Sequence, residues 1–265
     1  MKFQADHDLH IHSFLSDCST DPEQLPEKIL ALEAENGFTT LCLTDHMWDA
    51  AIPGASKWYA PQTFEHISQA LPLPQREGMR FWFGCETDMD RFGTIGISRA
   101  VMDKMDFIIV PTTHMHMNGF TLDGSEGAQE RAELWIKRFD ALLDADLPFY
   151  KVGVAHLTCT LIWKNRHLEV MRLIPKDEYH RLFQKAAKVG IGIELNFEPT
   201  SFTKEELEIE LTPYRIAKEE GCKFYFGSDA HSNADTRAAK AKVEGILALL
   251  DLTEEDKIPL LRDRQ

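Results

Sequence analysis

Short apolar runs rich in β-branched and aromatic residues recur along the chain, and between most of them apolar residues return every three or four positions. Seven runs read as strands, over residues 3–11, 39–43, 80–85, 106–112, 149–155, 192–195 and 223–227. Residues 22–36 place Leu25, Ile29 and Leu32 at helical spacing behind an Asp21-Pro22 start, with Gly37 as the stop. Residues 126–144 put Leu134, Trp135, Phe139 and Leu142 on one stripe. Further helices are predicted over 176–189, 213–220 and 234–250, the first two followed by Gly190 and Gly221 where C-terminal caps belong. Strands alternating with helices predict an α/β fold on a parallel sheet.

Two connections are long for such a fold. Residues 47–63 hold Trp48, Lys57, Trp58 and Tyr59, and residues 157–175 hold Trp163, Lys164, Arg166 and His167. Loops of this length serve as lids or binding loops, although their aromatic residues can simply pin the loop to the body. No internal repeat or low-complexity linker interrupts the chain, and 265 residues at 43% hydrophobic suit a single domain over 1–265. The longest apolar runs, 107–111 and 246–250, are far shorter than the roughly 20 residues of a membrane span. With no apolar signal core behind Met1-Lys2, a cytoplasmic location is expected. Cys18, Cys42, Cys85, Cys159 and Cys222 form no close-spaced pair, which suits reduced, mostly buried thiols. A formal charge of −14 argues against an extended nucleic-acid-binding face, yet does not bar an anionic substrate where metal ions reverse the local field.

The chemistry gathers at strand ends. Each predicted strand runs into a metal-ligand residue type, and in parallel barrels the C-terminal end of the strands is the functional face. Strand 1 ends in His10-Ile11-His12, where alternation points both imidazoles to one side, with Asp17 five residues on. The later strands run into Asp45-His46, Glu86, His114 with His116, His156, Glu194 and Asp229-Ala230-His231. Imidazoles mixed with carboxylates suit Zn²⁺, Mn²⁺ or Fe²⁺. Nine of them, His10, His12, Asp17, His46, Glu86, His114, His156, Asp229 and His231, exceed the needs of one ion and imply two or three, with Glu86 as a natural bridge.

On His10-x-His12, Ser16-Asp17, Thr44-Asp45-His46, Gly84-x-Glu86, His114, His156 and Ser228-Asp229-Ala230-His231, the sequence resembles the polymerase and histidinol phosphatase (PHP) family of phosphoesterases. The resemblance implies a distorted (β/α)7 barrel with a trinuclear site. It implies that His10, His12, Glu86 and Asp229 hold one ion, Glu86, His114 and His156 a second, and Asp17, His46 and His231 a third. Two positions depart from the pattern. Cys18 stands where the family usually has glycine, and His116 competes with His114, which is favoured by its distance from strand 4.

The expected reaction is hydrolysis of a small phosphorylated substrate by a water that ions on His10, His12, Glu86 and Asp229 activate. Lys57, Lys164, Arg166, Arg237, His116 and Glu194 are candidate substrate contacts, each weighed against a plain surface or structural role. Asp45 is expected to orient a ligand imidazole. Amidohydrolysis of a C–N bond and a non-catalytic, metal-stabilised module are the alternatives, and the oligomeric state stays open.

Overall fold

The computed structural model describes residues 1–262; residues 263–265, the end of the expected single domain, lie outside the described residues. Eight short strands form its centre: β1 (His7–Ile11), β2 (Thr40–Leu43), β3 (Arg80–Phe83), β4 (Cys85–Glu86), β5 (Ile108–Pro111), β6 (Val152–Ala155), β7 (Gly192–Leu195) and β8 (Lys223–Phe226). They pair in parallel as β1-β2-β3 and as β4 through β8 in chain order. Single parallel bridges join the two sheets, Ile11 to Ala230 on one side and His46 to Glu86 on the other. Across the first seam Asp229 N–H donates to His10 O at 2.7 Å and His12 N–H to Ala230 O at 3.0 Å.

The strands thus run round a barrel, and the expected fold class is borne out. β3 and β4 are the single run expected over 80–85, interrupted at Gly84. A Cβ there would stand 2.3 Å from the Phe107 carbonyl oxygen and 2.7 Å from Cys42 Sγ, so only glycine lets the strand pass its neighbours.

The helices are α1 (Pro26–Glu35), α2 (Phe64–Ile67), α3 (Arg99–Met102), α4 (Ala128–Asp144), α5 (His167–Leu173), α6 (Lys176–Val189), α7 (Lys204–Glu219), α8 (Asn233–Leu247) and α9 (Pro259–Arg262). α1 starts four residues later than Pro22 suggests. Asp21 instead accepts from the amides of Glu23 and Asn233, tying the loop to α8 rather than opening a helix. α7 begins nine residues before the expected Pro213. Thr203 caps the Glu206 amide while the Glu206 carboxylate accepts from the Thr203 amide, and Pro213 sits inside the helix with its ring buried.

Alternate strand positions divide between two layers. Leu41, Leu43, Ile108, Val110, Val152 and Val154 belong to the main core shared with the helices. Leu9, Cys42, Ile109 and Tyr225 form an inner cluster, completed by Ile258 and Leu261 from the C-terminal segment. This packing leaves the carboxyl ends of the strands to polar residues. Among the described residues no helix is long and apolar enough to cross a membrane.

Candidate metal centre

At the end of β1, Nε2 of His10, within the strand, and Nε2 of His12, just beyond it, come within 3.1 Å of each other. Glu86, the last residue of β4, brings Oε2 to 3.2 Å from the first and 3.3 Å from the second. Asp229, three residues beyond β8, brings Oδ1 to 3.3 and 3.1 Å. The other oxygen of Glu86 lies 3.7 Å from His114 Nε2 and 3.6 Å from His156 Nε2, so this carboxylate stands between two groups of nitrogens. A third group collects His46, His231 and Cys18 around His12, each offering an atom within 4.8 Å of the others.

A further set of contacts aims these imidazoles. His10 Nδ1 meets Glu194 at 2.7 Å, His114 Nδ1 meets Asp88 at 3.0 Å, and His156 Nδ1 meets the Thr113 hydroxyl at 2.6 Å. His12 Nδ1 donates to Ser16 Oγ at 3.0 Å, and the Ser16 hydroxyl donates to Asp45 at 2.7 Å. A proton held on Nδ1 leaves the lone pair on Nε2, facing the cluster. Asp45 therefore acts on His12 through Ser16. Two of the candidate ligands sit on left-handed backbone, His156 at φ 22° and Asp229 at φ 57°, a strain that marks places where the surroundings dictate the conformation.

The electrostatics match a crowded, buried set of bases. Burial opposes a charge on His10, but Glu194, Asp229 and Glu86 push it well above the ordinary imidazole range. His12 is likewise raised to about 9, against burial, by its contacts to Asp229 and Glu86. Burial holds His46 well below that range despite Glu86. The neighbouring imidazoles overcome burial to hold Glu86 and Asp229 well below the usual carboxylate range. Burial, with Glu86, Asp229 and Asp45 close by, pushes the Cys18 thiol up.

Two atoms test whether ions fit here. Glu86 Oε1 and His46 Nδ1 are buried without a hydrogen-bond partner. His46 Nδ1 does lie 3.2 Å from Glu86 Oε2, but off the direction of a hydrogen bond. Unpartnered buried atoms are costly, and divalent cations bound here would satisfy both. The donor set of imidazoles and carboxylates fits such ions.

The site opens into a cleft of about 940 Å³ whose floor includes Glu86, His114 and Asp229. The loop over 47–63 forms one wall, held by the packing of Trp48 and Tyr59 on Phe120 and by Trp48 Nε1 donating to Ile52 O. Trp58 sets its edge against His46 at 4.9 Å. Lys57 and His116 line this cleft. Burial and the nearby His114 lower His116 to about 4.

The remaining expected contacts fall elsewhere. Arg166 faces an adjoining cavity of about 680 Å³, stacks on Trp163 at 3.7 Å and pairs with Glu169. Lys164 and Arg237 are exposed and line neither cavity. Glu194 is fully buried behind His10 and also accepts from the His156 amide at 2.7 Å, which sets it behind the cluster rather than in the substrate's path.

Asp17 is exposed and, among the described residues, joins none of the three groups. Ser16 is clamped inward by His12, Asp45 and the His46 amide, and the tight turn from Ser16 to Ser19 then directs position 17 outward and position 18 inward. Residues unforeseen in the sequence also serve the site. Asp88 holds His114 and is itself held by Arg138 at 3.0 Å and the Tyr59 hydroxyl at 3.3 Å. Its spacing of two residues from Glu86 was a readable signal. Lys242 of α8 reaches Asn196 and the Ser228 carbonyl beside Asp229, and nothing about a helical lysine announces that.

A parallel barrel that gathers imidazoles and carboxylates at the carboxyl ends of its strands defines a TIM-like fold with a metal-binding face. The chain belongs to the PHP domain family, whose model matches residues 8–198. Among curated proteins none matches the sequence. Among solved structures, the fold is similar to that of a histidinol phosphate phosphatase (HISK) from Lactococcus lactis subsp. lactis, complexed with Zn, L-histidinol and phosphate. That match has a TM-score of 0.61 at 16% identity and covers 96% of this chain and 98% of that one. A chain of an archaeal ribonuclease P bound to mature tRNA matches at a TM-score of only 0.39 and 13% identity, over 97% of this chain and 94% of that one.

Proposed function

We propose that this chain is a metal-dependent phosphoesterase, acting as one domain over residues 1–265, that hydrolyses a small phosphate ester with water as the nucleophile. The observation that carries the reading is the convergence of two imidazole nitrogens and two carboxylate oxygens, 3.1–3.3 Å apart, at the floor of an open cleft. Ligands of one small ion stand about that far apart when metal–ligand bonds are about 2.0–2.2 Å. In this reading His10, His12, Glu86 and Asp229 hold one ion, Glu86, His114 and His156 a second, and His46 with His231 contributes to a third. Bound there, Zn²⁺, Mn²⁺ or Fe²⁺ supplies Lewis acidity and lowers the pKa of water towards about 7.

The chain's own residues prepare the place. Glu194, Ser16, Asp88 and Thr113 fix the tautomers of four imidazoles. Trp58 and Leu161 give the cleft apolar walls that restrict water, and Lys57 offers a cation to an anionic substrate at the rim. The zinc and phosphate held by the Lactococcus protein of this fold support the same chemistry. A purified, metal-loaded protein is expected to release phosphate from a panel of small monoesters or to cleave diesters, and His12→Ala and Asp229→Ala are expected to abolish it. Opening of amides or cyclic amides by a protein inert to every phosphate ester would overturn the reading.

A further inference from the structure

We propose that Cys18 is a metal ligand, so that the third ion is held by a thiolate with His46 and His231. Sγ of Cys18 and one ring nitrogen each of His12, His46 and His231 lie within 4.8 Å of one another. His12 is committed elsewhere, because its Nε2 points at His10, Glu86 and Asp229 at 3.1–3.3 Å. Each imidazole gives a lone pair to one ion, which leaves Cys18, His46 and His231 for another. His46 carries the independent mark of an ion: only 6% exposed, it has an Nδ1 with no hydrogen-bond partner.

Zinc bonds of about 2.0 Å to nitrogen and 2.3 Å to sulfur put tetrahedral nitrogen and sulfur ligands about 3.3–3.5 Å apart. The group therefore needs to close by no more than about 1.5 Å on binding, within the reach of side-chain rotation at Cys18. Its thiol gives its proton to solvent as the sulfur–metal bond forms. Three protein ligands leave a fourth position, and Cys18, His46 and His231 all line the cleft where that position opens. Asp17, the carboxylate that would otherwise complete this group, is exposed on the far side of the turn, with its amide bonded to Gln62.

The consequence is selectivity. A soft sulfur donor favours Zn²⁺ or Co²⁺ over Mn²⁺ at this position alone, while the two carboxylate-bearing groups keep harder sites. The inference rests on the metal-centre reading, and cobalt separates the two.

Metal-free protein is loaded with Co²⁺, the bound ion is counted, and the near-ultraviolet sulfur-to-cobalt charge-transfer band is recorded. The band is expected in the parent, in Asp17→Asn and in Cys159→Ser, and is expected to vanish in Cys18→Ser. Cys18→Asp guards against misfolding: it should bind as many ions as the parent without the band. Cobalt that binds without the band, or a band that survives Cys18→Ser and disappears in Cys159→Ser, overturns the thiolate ligand while leaving the metal centre standing. A parent that binds no cobalt overturns both.

Discussion

One oxygen of Glu194 accepts from His10 Nδ1 and the other from the His156 amide, each at 2.7 Å. Glutamine keeps the volume but turns one acceptor into a donor, so one buried N–H must face another. Glu194→Gln is expected to weaken metal affinity or activity by about 10–100-fold, measured by titrating zinc into stripped protein. Unchanged affinity and rate would show that Glu194 does not set the ring of His10. Glu194 was itself readable as a strand-end candidate, though not which imidazole it holds. His10, His12, His46, His114, His156 and His231 were readable because each lies at or beyond the end of a strand, where a buried face meets the open end of a barrel. Ser16, Thr113 and Lys242 were not, since a hydroxyl or an amine matters only through a partner distant in the chain. Which of Asp17 and Cys18 faces the cluster depends on the turn from Ser16 to Ser19, which residue types do not state.

Helix α7 shows the same limit at the scale of an element. Its true start was written in Thr203 and Glu206, but Pro213 competes as a start signal, and only the burial of its face shows that the helix passes through the proline. The same helix buries Glu210, which accepts from the Thr158 hydroxyl with its other oxygen unpartnered. Burial raises this carboxyl to about 8, so the folded protein keeps a proton there that the unfolded chain, titrating in the ordinary carboxylate range, has already released. Stability from this group is therefore present at acid pH and falls as pH rises from about 5 to about 8, by up to ~1.4 kcal/mol per pH unit. Glu210→Gln is neutral at every pH and is expected to flatten that slope. Denaturant unfolding of both proteins at about pH 6 and about pH 8 reads the difference, and parallel slopes would place the charge elsewhere.

For the whole molecule, the candidate metal centre and the two seams of the barrel coincide. His10, His12 and Asp229 belong to the seam where β1 meets the end of β8, and His46 and Glu86 form the single bridge of the other. Each seam has few backbone hydrogen bonds, so an ion that ties His10 and His12 to Asp229 across the first, and to Glu86 beside the second, would act where the ladder is thinnest. Chelation should therefore lower global stability and also loosen these lines selectively. One ion at a hundred times its Kd adds about 2.7 kcal/mol. At about 2–4 °C per kcal/mol for a chain near this size, its removal should lower Tm by about 5–10 °C, and removal of several ions by more. Hydrogen exchange after chelation should quicken first at the amides of His12, Glu86 and Asp229, while β6 and β7, paired well within one sheet, keep their protection. Uniform loss of protection would mean that the ions stabilise the barrel as a unit, and no loss would mean that the seams hold without them.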